Sequence, residues 1–464
     1  MKLSLSRIAE FTNASGNFAE SAVAQGYSID SRTVKPGELF FAIRGEKLDG
    51  HDYVEAALAA GAIGAVVARD CASKMAHLNQ LLVVDDTLQA LQSLAANVRR
   101  VWGKPLLAIT GSAGKTTTKE LAARVLGTQL NVLKSQGNLN NHFGLPLQLL
   151  KLEPEHDIAV IEMGMNHPGE ITSLCAIAAP DAGVVTCVAP VHIEFFRSVS
   201  EIARAKKELI DALPANGTAV LNADDEYVSR FADRFAGRVV MFGVNRPADV
   251  RAQAVEQLGI SGSRFQVIKG DRTHEFELPL IGSHNVYNAL AAIAAGVAFG
   301  VSLEAAREAL RTAAPADKRG EVIEVAGATV INDSYNSNPK ALESMIDALA
   351  GMRVKGRKIV VGGEMLELGS SAEDLHRRCG AHAARKKIDV VLGVRGAARH
   401  IVEGAREAGG SGIVAEFLAT PQDAGEWLAR NVRPGDAVLL KASRGVRLEN
   451  ALQVWKERKN LVNA

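Results

Sequence analysis

At 464 residues, 47% of them apolar and 23% charged, the chain is long enough for about two to four packed domains, and wholesale disorder is excluded. A formal net charge of +1 offers no overall electrostatic basis for a nucleic-acid-binding face. Four scattered cysteines, Cys71, Cys175, Cys187 and Cys379, make no C-x-x-C pair or zinc spacing and read as small buried hydrophobes in a reducing compartment. The first residues lack the sustained apolar core of a signal peptide, and no run reaches the roughly 18 residues of a membrane span. The expectation is a cytoplasmic protein without membrane insertion.

Residues 1–83 alternate short strands, expected at 39–43 and 65–67, with a helix near 53–60. Lys35-Pro36-Gly37 and Asp49-Gly50 are turn signals. Ser31, Arg32 and Arg44 lie on the loops so marked. Guanidinium groups there suit a diphosphate; solvated loop charge is the plain alternative. Residues 83–102 are mainly helical by pattern, and Gly103-Lys104-Pro105 breaks the helix.

The next stretch is the most informative one. An apolar strand expected at 106–109 runs into Gly111-Ser112-Ala113-Gly114-Lys115-Thr116-Thr117, and a helix is expected over 116–126. The first N–H groups of such a helix lack intrahelical partners and carry the positive end of its dipole, which makes an anion site. Lys115 adds a mobile cation and Thr116 a hydroxyl for Mg²⁺. The strict pattern G-x-x-x-x-G-K-[ST] is not met, because Ile109 stands where its first glycine belongs. The loop is a tighter phosphate-binding loop.

Beyond it, strands expected at 157–161, 183–188 and 218–221 end in Glu162, in a loop carrying His192, and in Asn222. Alternation with helices implies a mainly parallel sheet whose ligands gather at the carboxyl ends of its strands, the edge that also carries the phosphate loop. Glu162 and Thr116 are placed to hold a nucleotide's Mg²⁺. His192 is a second-metal ligand, a hydrogen-bond donor or an ordinary loop histidine. In the helix expected at 200–213, Ile202, Leu209, Ile210 and Leu213 share one side, with Lys206 inside that arc and Lys207 on its flank. Such a lysine either snorkels its ammonium to water or is desolvated, so that its pKa falls and the neutral amine can take up CO₂ as a carbamate. Asn285 and Asn288 fall on the first turn of a small-residue helix, where they meet a base or cap the helix.

A boundary is expected near residue 314, ahead of Arg319. Strands expected at 329–332, 358–361, 390–392 and 437–440 make a further doubly wound unit, with Asp333-Ser334-Tyr335-Asn336-Ser337-Asn338-Pro339 after the first. No G-x-G-x-x-G follows that strand, so no dinucleotide site is indicated.

Four blocks, TGSAGKTTTKE, GNLNNHFGLPL, EMGMNHPGEI and NDSYNSNPKA, together resemble the Mur ligases, ATP-dependent amide-forming enzymes of peptidoglycan precursor synthesis, and the likeness extends over nearly the whole chain. Within the family, DSRTVKPGELFFAIRGEKLDGHDY and the Asp-Ser-Tyr-Asn-Ser-Asn-Pro block are most similar to the member that adds D-alanyl-D-alanine to UDP-N-acetylmuramoyl-tripeptide. The resemblance implies an α/β protein of three domains: a small substrate-nucleotide domain (1–83), a central phosphate-loop domain with a mainly parallel sheet (84–314), and a Rossmann-like doubly wound domain for the incoming dipeptide (315–464). It also implies two Mg²⁺ ions, one on Thr116 and Glu162, the other on His192 and a carbamylated Lys206 formed with CO₂. Asn285, Arg319 and Asp333 would contact ATP together with the loop 111–117. Ser31, Arg32, Arg44, Asn138, Tyr335 and Asn336 would contact substrate, and a monomer is expected. Lys441-Ala442-Ser443-Arg444-Gly445 departs from the family's Lys-Gly-Ser-Arg-Ser. The competing readings are an amino-acid-adding or folylpolyglutamate-type ligase, and a phosphate-loop ATPase that switches a partner without forming a bond.

Overall fold

The computed structural model describes residues 1–191 and 193–462. A short antiparallel pairing of Leu3–Ser4 with Val23–Ala24 precedes three sheets that follow one another along the chain. The first is parallel throughout, with Gly26–Ser28, Glu38–Phe41, Gly64–Ala68 and Leu81–Val84 side by side in sequence order.

The middle sheet has nine strands, in the order Arg272–Leu278, Ser263–Lys269, Val250–Gln257, Arg238–Gly243, Thr218–Asn222, Ala182–Val185, Leu106–Thr110, Ile158–Glu162 and Val132–Lys134. All neighbours are parallel except at the far edge, where Ser263–Lys269 runs antiparallel to both of its partners. Every residue of Leu106–Thr110, Ile158–Glu162 and Ala182–Val185 is buried, as a sheet covered on both faces requires. These three adjacent strands bring the phosphate loop, Glu162 and the loop after Val185 to one carboxyl edge. The third strand stops at Val185 rather than running to residue 188. Beyond it the Thr186 carbonyl accepts from the Asn222 side chain (2.9 Å) and the Val188 N–H donates to Asp225 (2.8 Å), which turns the backbone out of the ladder. The antiparallel ribbon at 250–278 has no counterpart in the sequence reading, and a register shift between Gln253 and Glu256 bends it.

The last sheet orders Glu321–Val325, Ala328–Asp333, Ala437–Lys441, Lys358–Gly363, Val390–Val394 and Val414–Leu418, parallel apart from the first pair. The molecule is thus α/β, with parallel-rich sheets in three successive domains. The helix Thr87–Trp102 buries Leu91, Leu94, Val98 and Trp102 in one cluster with Leu82 of the first sheet and Leu106 of the second. Ile281, from the middle of the chain, is grouped instead with Leu342, Met345 and Ile346 of the last domain.

Cys175 and Cys379 are buried as expected, but Cys71 and Cys187 are only half-buried. Both of the latter have polar neighbours: Cys71, in the short helix Arg69–Ala72, receives a hydrogen bond from Arg44 (3.1 Å), and Cys187 lies 3.7 Å from the Ala113 carbonyl. Among the described residues no helix is long and apolar enough to cross a membrane.

Candidate active site

The phosphate loop is shaped by two glycines that no other residue replaces. Gly111 has φ +148° and Gly114 has φ +82°; a Cβ on the first would fall 1.8 Å from Thr186 Oγ1, and on the second 2.2 Å from Asn288 Oδ1. Gly114 is also the residue at which the helix Lys115–Leu126 begins, and it supplies no capping side chain. The N–H groups of the first turn therefore face the loop without a side-chain acceptor, which is the condition for anion binding. Behind the loop, Ser112 Oγ donates to the Ala189 carbonyl (3.1 Å) and accepts from the Ala189 N–H (2.9 Å), and Thr186 Oγ1 donates to the Ala113 carbonyl (2.5 Å). Lys115 folds back so that Nζ donates to the Gly111 carbonyl (2.8 Å). Burial lowers the Lys115 pKa, Glu162 works against that shift, and the Arg319 charge adds to it.

Glu162 closes its strand with both oxygens occupied: Thr116 Oγ1 donates to Oε2 and Asn140 Nδ2 donates to Oε1, each at 2.8 Å. Its own N–H donates to Ser135 Oγ (2.9 Å). A hydroxyl and a carboxylate in contact at the phosphate loop are hard oxygen donors of the kind Mg²⁺ takes, so the pair fits that ion. Asn140 lies in the polar loop 136–141, where no sequence signal marks it, and only the fold brings it opposite Glu162.

The helix Val199–Asp211 opens with Ser198 accepting from the Glu201 N–H (3.3 Å). It buries Ile202, Leu209 and Ile210, and Lys206 with them at 2% exposure, so the side chain does not snorkel into water. Lys207 sits on the flank, in an ion pair with Asp211. Desolvation, with a further contribution from the Lys115 charge, lowers the Lys206 pKa to about 7. Two residues beyond Lys206, the Glu208 carboxylate accepts from the Gly169 N–H (2.7 Å), the Thr172 N–H (2.9 Å) and Thr172 Oγ1 (3.0 Å), tying this helix to the loop that leaves Glu162. His192 lies outside the described residues.

A cavity of about 420 Å³ brings residues 112–117, Asn138, Asn140, Glu162, Asn285 and Asn288 of the middle domain opposite Arg319, Asp333, Tyr335, Asn336, Lys441 and Arg444 of the last. Lys441 Nζ donates to Asp333 Oδ2 (2.6 Å) and to the Asn336 carbonyl (2.9 Å), and the Arg319 guanidinium lies 4.2 Å over the Tyr335 ring. Asn285 Nδ2 donates to the Ile281 carbonyl (2.8 Å) and its Oδ1 accepts from Asn288 (2.9 Å), so the two asparagines support the start of the helix His284–Ala298 and one another.

Other expected residues lie elsewhere. Asn222 lines no part of this cavity; its amide donates to Thr186 O and its carbonyl accepts from the Asp224 N–H (3.0 Å), which shapes the loop behind the phosphate loop. Ser31, Arg32 and Arg44 belong to loops of the first domain. Arg32 pairs with Asp30 (2.7 Å) and Arg44 with Asp70 (2.8 Å), and neither lines the cavity.

Three family profiles match in succession: "Mur ligase family, catalytic domain" at residues 23–99, "Mur ligase middle domain" at 109–296, and "Mur ligase, glutamate ligase domain" at 318–444. The UDP-N-acetylmuramoyl-tripeptide–D-alanyl-D-alanine ligase of Bacillus subtilis is 37% identical over 94% of this chain and 93% of its own. The chain belongs to the Mur ligase family. The Escherichia coli ligase of the same name is 35% identical, over 85% of this chain and 86% of its own. Among solved Mur ligases, MurF from Acinetobacter baumannii superposes with a TM-score of 0.88 at 29% identity, covering 98% of this chain and 99% of that one. MurF from Thermotoga maritima in complex with ADP gives 0.82 at 28% identity, covering 94% and 98%.

Proposed function

We propose that this Mur ligase joins D-alanyl-D-alanine to UDP-N-acetylmuramoyl-tripeptide at the expense of ATP, in the cytoplasm and as a monomer. The observation that carries the reading is the shared cavity: a phosphate loop with Thr116 and Glu162 on one wall, and Arg319, Asp333 and Lys441 from the next domain on the other. The domains are taken as 1–83 for the UDP-sugar, 84–314 for ATP and 315–464 for the dipeptide.

The peptide carboxylate attacks the γ-phosphorus of ATP and ADP leaves, giving an acyl phosphate. The dipeptide amine then adds to the acyl carbon. The tetrahedral intermediate collapses with loss of phosphate and of the amine proton, leaving the amide. In the first step two anions must approach. At ~4 Å and an effective dielectric of ~20 like unit charges repel by about 4 kcal/mol, equivalent to about three decades in rate. Lys115, Arg319 and the uncapped helix N-terminus offset that repulsion. Thr116 and Glu162 would hold one Mg²⁺, and His192 with Lys206 as its carbamate would hold a second. Bound Mg²⁺ would draw negative charge from the phosphate oxygens. Asn285, Arg319 and Asp333 are assigned to ATP. Ser31, Arg32 and Arg44 are assigned to the diphosphate of the sugar nucleotide, and Asn138, Tyr335 and Asn336 to the peptide substrates.

The deciding assay contains ATP, Mg²⁺ and UDP-N-acetylmuramoyl-tripeptide, with and without D-alanyl-D-alanine, and follows phosphate and the new amide. Phosphate release that depends on the dipeptide and equals the amide formed is expected. Release that ignores the dipeptide would point to an ATPase switch, and no amide would end the assignment. Lys206→Ala should lose activity and regain part of it with short carboxylates. Full activity without them would refute the carbamate.

A further inference from the structure

The turn 281–284 belongs in sequence to the middle domain but is packed as part of the last. Ile281 is 4% exposed and grouped with Leu342, Met345 and Ile346, whereas Leu278 and Leu280 just before it lie in the core of the middle sheet. Three residues on, His284 Nδ1 and Ser344 Oγ share a hydrogen bond of 2.8 Å, with Ser344 on the helix Pro339–Gly351 that follows the Asp-Ser-Tyr-Asn block. Gly282, at φ +96°, permits this: a Cβ there would fall 2.6 Å from the His284 ring, so only glycine lets the imidazole fold back over the turn.

From this turn an unbroken run of contacts leads to the phosphate loop. The Ile281 carbonyl holds Asn285, Asn285 holds Asn288, Thr118 Oγ1 donates to Asn288 Oδ1 (3.3 Å), and that oxygen fills the space beside Gly114. We propose that the turn 281–284 is a closure contact of this enzyme, with Ser344 and His284 as a positioning pair that registers the dipeptide-binding domain against the nucleotide loop. The proposal rests on the ligase reading for the identity of the dipeptide alone. The charged groups facing His284 are Asp333 and Lys441. Burial, with the Lys441 charge acting in the same direction, outweighs Asp333 and holds the imidazole neutral, with a pKa lowered to about 4, so the contact is an ordinary neutral hydrogen bond.

The test places a donor and an acceptor fluorophore on exposed sites of the middle and last domains of the full chain. It then measures closure on adding ADP and Mg²⁺ for the wild type, Ser344→Ala, Ser344→Thr and Ile281→Ala. Loss of one neutral hydrogen bond should lower the closed-to-open ratio about fivefold in Ser344→Ala. The KM for D-alanyl-D-alanine should rise by a similar factor, with kcat and melting temperature nearly unchanged. Ser344→Thr, which keeps the hydroxyl, should behave as the wild type, and Ile281→Ala should open the molecule further. Wild-type closure and KM in Ser344→Ala, or a Thr variant as impaired as the Ala variant, would overturn the proposal. Closure is read with nucleotide alone, so a wild type that closes but makes no amide would sink the ligase reading and leave this one standing.

Discussion

A carboxylate that accepts a hydroxyl on one oxygen and an amide on the other has one orientation, and Glu162 is so held by Thr116 and Asn140. Glu162→Gln keeps the shape but removes the charge and sets its own NH₂ against one of those donors. Phosphate release at saturating ATP should fall by roughly 10²-fold or more, and the Mg²⁺ needed for half-maximal rate should rise. Gly114→Ala puts a methyl 2.2 Å from Asn288 Oδ1 at a φ of +82°. It should cost about 1–3 kcal/mol of stability and weaken ADP binding by more than tenfold, read by denaturant melts and calorimetric titration. The thiols divide cleanly. Burial pushes the Cys175 and Cys379 thiols up to about 12, so in the folded protein iodoacetamide should modify Cys71 and Cys187 and spare those two until denaturant is added. Residues of the phosphate loop were legible from sequence because strand, glycines, lysine and threonine are contiguous. Asn140 and the pairing of Lys441 with Asp333 were not, since each joins residues 22 or 108 positions apart that only the sheet order brings together.

At the scale of elements, the helix Val199–Asp211 was legible in its essentials. The arc of Ile202, Leu209 and Ile210 places Lys206 inward by geometry alone, and the side chain is buried there. What periodicity did not reveal is the anchor of that helix. Glu208 takes three donors from Gly169 and Thr172 at the start of the helix Glu170–Ala178 and acts as a cap borrowed from another element. Glu208→Ala should lower stability by about 1 kcal/mol. It should also reduce activity, because the loop it fixes leaves Glu162; thermal melts and the amide assay would measure the two effects. The ribbon 250–278 escaped the sequence reading for a different reason. Its outward faces are polar and its strand Val250–Gln257 is bulged, which blurs the twofold alternation that marks a strand.

For the whole molecule, acid should loosen the fold through the domain contact. The His284 pKa is lowered from 6.5 to about 4, so between those values the unfolded chain binds the proton more readily than the folded one. The stability of neutral His284 is therefore full above about pH 6.5 and lost as pH falls towards 4. Relative to His284→Gln, the wild type should lose more stability between pH 7.5 and 4.5 in denaturant titrations, and equal slopes would refute the assignment.

The helix Thr87–Trp102 has a consequence of its own. Because it packs into one hydrophobic cluster that includes both Leu82 and Leu106, the first two domains share part of their core. Scanning calorimetry should record them as a single cooperative transition, with the last domain, which meets the middle one at the turn 281–284, at Glu194 against Glu367 and Gly369, and at Gly259 against Met352, as a second. A sugar nucleotide held on the first domain, as proposed, would then travel with the phosphate loop as cargo on one carrier, and the last domain would be the part that moves against it.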